Sequence, residues 1–426
     1  MVAQIKKYTL WIGLIAALLL IMSLILDWEN STAPLSVLSV VALAVGIGSV
    51  EALKSYQYTA WILVAITCGM VYPSAFLHWG DFDLRNKWLL LIVVQMVMFG
   101  MGTQMSIRDF YGVKTMGKGV LVGILCHFTI MPGVGYLLTK IFHFEPEIAA
   151  GIILIGSCSS GLASNVMVFI ARANLPLSVT VTAVSTLLAP IMTPLMMQQL
   201  AGTYVEVSFL NMCVEIIKIV IVPIGAALLY DAYLNGSMQL RKKVNILFVL
   251  ALVGLIVSIG FWQVVIGLCS NTTILLLELT NFIFGAIIVG VVYYHLVQWR
   301  PKIHTFMPVV SMIGIVYFTT VTTAASRENI LSIGILILIA SILHNTLGYT
   351  FGYWISRALG FDTNSSRTIA LEVGLQNGGM ASGLAGAMGK LATVGLAAAI
   401  FSPWMNISGS LLANYWRRKD NAKQLK

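Results

Sequence analysis

Leu371-Glu-Val-Gly-Leu-Gln-Asn-Gly-Gly-Met380 puts a carboxylate, two amides and three glycines inside an otherwise apolar run. A second interruption of the same kind is Gly156-Ser-Cys-Ser-Ser-Gly-Leu-Ala-Ser-Asn165. Helix formers give way here to residues that favour turns and caps. Non-helical backbone at membrane depth is tolerated only where protein covers it or a cavity adjoins it. The two stretches therefore predict two broken helices. A charged side chain within lipid costs ~2.5–3.5 kcal/mol on insertion scales, so Glu372 is a functional residue by default.

The surrounding sequence supplies the membrane. Hydrophobic residues make up 58% of the 426 positions and charged residues 10%, against about half and a quarter in soluble domains. A water-soluble fold is excluded. Runs of roughly 20 apolar residues, enough to cross a ~30 Å hydrocarbon core, follow one another almost from end to end. They cover residues 9–27, 33–53, 58–79, 86–105, 117–142, 147–171, 176–202, 208–235, 245–269, 274–299, 306–325, 331–356, 366–389 and 391–416. Backbone groups in lipid must be satisfied internally, so the runs are predicted to be helices, about fourteen in all. Lys6 and Lys7 place the N-terminus in the cytoplasm, because cytoplasmic loops are rich in basic residues. Alternation then brings Lys54, Arg108, Arg172, Arg241, Arg300, Arg357 and the basic tail to the same side. Only Arg85, Lys87, Lys140, Arg327 and Lys390 fall opposite. Both termini are expected in the cytoplasm. The charge of +9 is thus a topology signal and not a nucleic-acid patch. Five cysteines scattered along the spans form neither a disulfide framework nor a zinc site.

The chain also resembles itself. His127-Phe-Thr-Ile-Met-Pro-Gly-Val-Gly-Tyr136 and His344-Asn-Thr-Leu-Gly-Tyr-Thr-Phe-Gly-Tyr353 share His, Thr, Gly and Tyr at common offsets. Each is followed at nearly one spacing by a polar step, Gly161-Leu-Ala-Ser164 and Gly379-Met-Ala-Ser382. The copies lie an odd number of spans apart and so run in opposite directions. Inverted repeats with broken helices at the midplane are a feature of secondary transporters.

At these residues the sequence resembles the bile acid:sodium symporter family, over roughly 57–235 and 303–418. The resemblance rests on Phe99-Gly-Met-Gly102, Ala163-Ser-Asn165 with Ser178 and Thr182, Glu372-Val-Gly-Leu-Gln-Asn377 and Trp404-Met-Asn-Ile-Ser408. It implies an all-α polytopic membrane protein of two inverted five-helix repeats, with a panel and a core built around two crossing broken helices. Residues 57–235 would hold the first repeat and the start of the second, and 303–426 the remainder and the basic tail. The helix pairs within 1–56 and 236–302 have no counterpart in that pattern and are four additional helices; self-association and widening of the panel are alternative uses for them.

The resemblance further implies one sodium held by Ser164, Asn165, Ser178, Thr182 and Glu372. A second would use Glu372, the carbonyls of Val373 and Leu375, the Gln376 side chain and a glutamine at the position of His127. His127 departs from that pattern, because an imidazole offers nitrogen, or a positive charge, in place of an oxygen. It either packs without binding an ion, or titrates and lets a proton replace the second sodium. A small organic anion would lie near Asn377 and Asn406, facing half-helix N-termini. The family pattern before Ala163 commonly ends in Thr where this chain has Leu162, which favours a carboxylate smaller than a bile acid. Sodium-coupled import across a bacterial inner (plasma) membrane is the resulting expectation.

Enzyme motifs such as His-Glu-x-x-His, Gly-x-Ser-x-Gly and Walker sequences are missing. A proton-coupled transporter using Glu372 and His127 is the nearest alternative, ahead of a channel or a non-transporting sensor. Glu215 and Lys218, three apart on one predicted helix, are expected to neutralise each other. Glu278 is expected to reach the membrane interface.

Overall fold

Proline, glycine and polar caps set the ends of the helices in this computed structural model, which describes residues 2–50, 53 and 56–424. Lys54 and Lys426 of the basic set lie outside the described residues, as does the side chain of Lys423. In chain order come α1 (Val2–Ile25), α2 (Glu29–Gly46), α3 (Gln57–Val71), α4 (Pro73–Leu77), α5 (Lys87–Gly102) and α6 (Gly112–Phe142). Then follow α7 (Pro146–Ser157), α8 (Leu162–Ile170), α9 (Leu175–Met196), α10 (Phe209–Ile216) and α11 (Val222–Asn235). The last are α12 (Met238–Gly260), α13 (Trp262–Leu268), α14 (Asn271–Trp299), α15 (Lys302–Ala325), α16 (Arg327–Ala358), α17 (Thr363–Gly374), α18 (Gly378–Ala387) and α19 (Val394–Gln424). Each predicted run contains at least one helix among the described residues. Ten helices among the described residues are long and apolar enough to cross a membrane.

The run 58–79 ends early. Pro73 cannot continue α3, so the chain restarts as α4. It then forms a small antiparallel ribbon, β1 (His78–Trp79) with β2 (Phe82–Asp83), pairing His78 with Asp83 and Trp79 with Phe82. Between α10 and α11, Ile217–Ile221 form a π-helical turn that carries Lys218.

Two packing groups result. Helix α15 lies against α3 and α5, and α5 against α11. The other group joins α6 to α7, α9 and α16, α16 to α17, and α19 to α7 and α18. The additional helices attach to the first group, α2 on α3 and α14 on α11. Within the second group α7–α8 and α17–α18 are the two broken helices. Gly161 permits their crossing: a Cβ there would lie 2.8 Å from the carbonyl oxygen of Gln376.

Candidate functional site

Two breaks expose backbone groups that lipid cannot satisfy, and the breaks satisfy each other. Cys158 and Leu375, just past the ends of α7 and α17, are extended. Ser160 and Gln376 pair as an antiparallel bridge. Asn377 N–H donates to Ser159 O at 2.9 Å, and Gly161 N–H to Leu375 O at 3.4 Å. Side chains take the remaining carbonyls at the half-helix ends. Thr193 donates to Ser157 O at 2.7 Å and Asn345 to Gly374 O at 2.8 Å. The crossover is thus held by polar groups from helices that are otherwise apolar, the arrangement expected where buried backbone must be paired.

Glu372 sits in the last turn of α17 and is fully buried. Ser178 donates to its Oε1 at 2.5 Å and Thr182 to its Oε2 at 2.9 Å. These residues are four apart on α9 and share a face. From the first turn of α8 Asn165 sends Oδ1 to within 2.7 Å of Ser178 Oγ and 3.3 Å of Thr182 Oγ1. Ser164 Oγ stands 3.3 Å from Thr182 Oγ1 and donates to Gly161 O at 2.8 Å. All five residues of the first expected sodium set therefore meet.

Proton bookkeeping gives the cage its character. A hydroxyl carries one proton, an amide oxygen none, and an ionised carboxylate none. Once Ser178 and Thr182 have donated to Glu372, nothing remains for Asn165 Oδ1, which has both hydroxyl oxygens as neighbours. Glu372 makes no ion pair among the described residues. The cage is rich in lone pairs and short of positive charge, conditions that a hard cation with oxygen preference relieves.

The second expected set is tied into the crossover itself. Val373 O accepts from Gln376 Nε2 at 2.8 Å, and Leu375 O from Ser160 and Gly161. Gln376 Oε1 is buried with no partner among the described residues. His127, fully buried on α6, brings Nδ1 to 2.9 Å from Glu372 O and Nε2 to 2.8 Å from Cys158 O. The ring thus spans the C-terminal ends of both first half-helices, and only its doubly protonated form donates at both atoms.

Beside the crossover lies a cavity of about 410 Å3, bordered by Leu162, Gln104, Ser311, Asn377, Ser402 and Asn406 among mainly apolar neighbours. The N-termini of α8 and α18 reach it, offering unpaired N–H groups and the positive ends of helix dipoles. Asn377 caps α18 through Oδ1, accepting from Met380 N–H at 3.0 Å, and its Nδ2 is buried and unpartnered among the described residues. Asn406 is less available, since Nδ2 donates to Ser402 O at 2.8 Å.

The family model for the sodium bile acid symporter family matches residues 91–266. An uncharacterized sodium-dependent transporter of Bacillus subtilis is 33% identical over 85% of this chain and 92% of its own. The chain belongs to the sodium bile acid symporter family. Within that family, a probable chloroplastic sodium/metabolite cotransporter of Arabidopsis thaliana is 29% identical over 85% of this chain and 74% of its own. The ileal sodium/bile acid cotransporter of Mus musculus is 26% identical over 68% of this chain and 66% of its own. A solved sodium proton antiporter of Methanocaldococcus jannaschii shares the fold, with a TM-score of 0.53 at 14% identity over 91% of this chain and 97% of that one. This symporter-family member is an integral membrane protein.

Glu278 has a partner that the sequence does not show: its Oε2 lies 3.4 Å from Lys218 Nζ. Lys218 also meets Glu215, at 2.6 Å, as the helical spacing required. Asn345 was not singled out from sequence, although it follows His344 directly. Its signal was an amide in an apolar span, and its partner was an unwound end that only the fold brings near.

Proposed function

We propose that this chain is a secondary active transporter that couples the entry of sodium to that of a small organic anion. The observation that carries this reading is the lone-pair surplus around Glu372, buried between two broken helices. One sodium would bind Glu372, Asn165, Ser164, Ser178 and Thr182, joining α8, α9 and α17. By drawing these elements together it would fix the crossover and, through Leu375–Asn377, the N-terminus of α18 that faces the anion. The anion would be a carboxylate with a compact apolar body. Asn377 and the two half-helix N-termini supply its donors, and Leu162 narrows the cavity beside it. The names of the relatives support sodium dependence.

His127 serves in this reading as a strut between the two half-helix ends, leaving a single sodium site. Val373, Leu375 and Gln376 then shape the crossover without holding a second ion. Residues 57–235 and 303–426 form the inverted repeats, the termini are cytoplasmic, and the four additional helices widen the panel to which they attach. Proton coupling through Glu372 and His127 is the reading that the same experiment separates from this one.

The experiment is thermal unfolding of the purified protein in sodium against choline chloride at equal ionic strength, from pH 5.5 to 8. A ligand that binds only the folded state must stabilise it, by ~2.7 kcal/mol at a hundred times its dissociation constant. Sodium should raise the midpoint in the wild type and not in Ser164→Ala, with a Hill coefficient of about 1. A shift with pH alone, abolished in His127→Gln, would replace sodium by a proton. Uptake of radiolabelled carboxylates into proteoliposomes under a sodium gradient then identifies the anion.

A further inference from the structure

Where α14 meets α5, α10 and α11, a cleft with two compartments opens. The first, about 630 Å3, is bordered by Lys87, Trp88, Glu215, Lys218 and Glu278. The second, about 530 Å3, runs between α5, α11 and α14 against Met96, Phe99, Val289 and Met307. Asn281 and Phe282 border both, so the compartments adjoin. One end is charged and the remainder is apolar.

The charged end has an unfilled requirement. Lys218, presented by the π-helical turn, is 8% exposed and lies behind its partners, whereas Glu215 is 26% and Glu278 41% exposed. Two carboxylates face one ammonium, which leaves one negative charge in excess. Asn281 stands one turn beyond Glu278 on the same face of α14, and its Oδ1 is buried with no partner among the described residues. The recess therefore offers two carboxylates and an unpaired amide oxygen as acceptors. A primary ammonium brings one positive charge and three N–H donors. Lys87 and the exposed Trp88 stand at the rim, where an anionic group and an interfacial ring are at home.

The apolar end has the dimensions of a lipid tail. From Glu278 to Tyr293 along α14 is about 22 Å at ~1.5 Å per residue, longer than the ~15 Å of half a hydrocarbon core. We propose that this cleft binds a phospholipid with a primary-amine headgroup. Its ammonium is held by Glu215, Glu278 and Asn281, its phosphate faces Lys87, and one acyl chain occupies the groove between α5 and α14. The site is independent of the sodium cage. A choline headgroup matches the charge but has no N–H, so it leaves Asn281 Oδ1 unpaired and binds less well.

The test uses the full-length protein stripped of lipid in detergent. Dioleoyl-phosphatidylethanolamine, -phosphatidylcholine and -phosphatidylglycerol are titrated in mixed micelles, and retained lipid is read by native mass spectrometry. Phosphatidylethanolamine should bind roughly five-fold or more tightly than the other two. Asn281→Leu and Glu278→Gln, each checked for monodisperse elution, should lower it to the level of phosphatidylcholine. Equal binding of ethanolamine and choline lipids would mean an annular lipid only and overturn the proposal. Binding of phosphatidylglycerol as tight as that of phosphatidylethanolamine would mean recognition of phosphate alone, which also overturns it. Should Glu278→Gln fail to fold, unchanged selectivity in Asn281→Leu is by itself sufficient to reject the assignment.

Discussion

Glu372 and Lys218 are both charged side chains buried among helices, and they are stabilised by opposite means. Around Glu372 stand hydroxyls and an amide from α8 and α9, all neutral. Around Lys218 stand two carboxylates. Dipoles reduce the cost of burying a charge without cancelling it, so the carboxylate retains a demand for a cation. Counter-charges cancel it, and what remains is a tie between the π-helical turn after α10 and α14, with a residual charge of opposite sign. The first arrangement suits an ion that must come and go. The second suits a joint that holds.

Removing the carboxylate is the hardest blow to this contrast. Glu372→Gln keeps the shape and deletes the charge, so sodium should lose ~3 kcal/mol of binding, more than a hundred-fold. Sodium-driven uptake in proteoliposomes and the sodium-induced thermal shift should both vanish while the protein stays folded. Uptake at the wild-type rate would remove the transport reading. Lys218→Met should do the reverse. Breaking a buried pair costs ~3–5 kcal/mol, and the partial exposure of both glutamates reduces this to ~1–2 kcal/mol of stability. Sodium affinity should be unchanged. Adding Glu215→Gln and Glu278→Gln to Lys218→Met should restore most of the loss, and failure to do so in thermal unfolding would show that the lysine packs more than it pairs.

Ser178→Ala sharpens the comparison from within the cage. It deletes one hydrogen bond to an ionised group, worth ~1.5 kcal/mol, and should weaken sodium about ten-fold in a titration of uptake rate. Thr182→Ala should cost a similar amount, and the double variant less than the sum, because both hydroxyls serve one carboxylate and one Asn165 oxygen. Fully additive losses would mean that they do not share an ion.

Much of this is legible in the chain itself. Glu372 stands out because a charge in lipid needs a reason; the family resemblance joins Ser164, Asn165, Ser178 and Thr182 to it, and the spacing of the last two sets them on one face. What the sequence could not show is which free carbonyls the polar residues would meet. His127 read as a departure from a ligand pattern, and its contacts are the ends of two different helices, Glu372 O and Cys158 O. Glu278 pairs with Lys218 across segments, a contact that hydropathy along α14 does not show. Long-range pairing of isolated polar residues carries no local period, and periodicity is what a single sequence displays best.

The smallest expected effect tests whether the cage is autonomous. Asp362 caps α17, the half-helix that ends in the Glu372 turn, accepting from Asn364 N–H at 2.8 Å and Ser365 N–H at 3.0 Å. Hydrogen bonding, first from the Ser365 side chain and then from these backbone groups, holds its carboxyl below the usual range. A carboxyl lowered on folding contributes stability above its unfolded value of about 3.9 and loses it as pH falls through the lower folded value. Asp362→Ala should therefore cost ~1 kcal/mol near neutral pH, and the difference from wild type in thermal unfolding should shrink below pH ~4. Sodium affinity should be spared, since the cap lies at the opposite end of the half-helix from the ligands. If Asp362→Ala weakened sodium as much as Ser178→Ala does, the ion would be sensing the position of the whole half-helix, and the contrast between a local cage and a structural joint would fail.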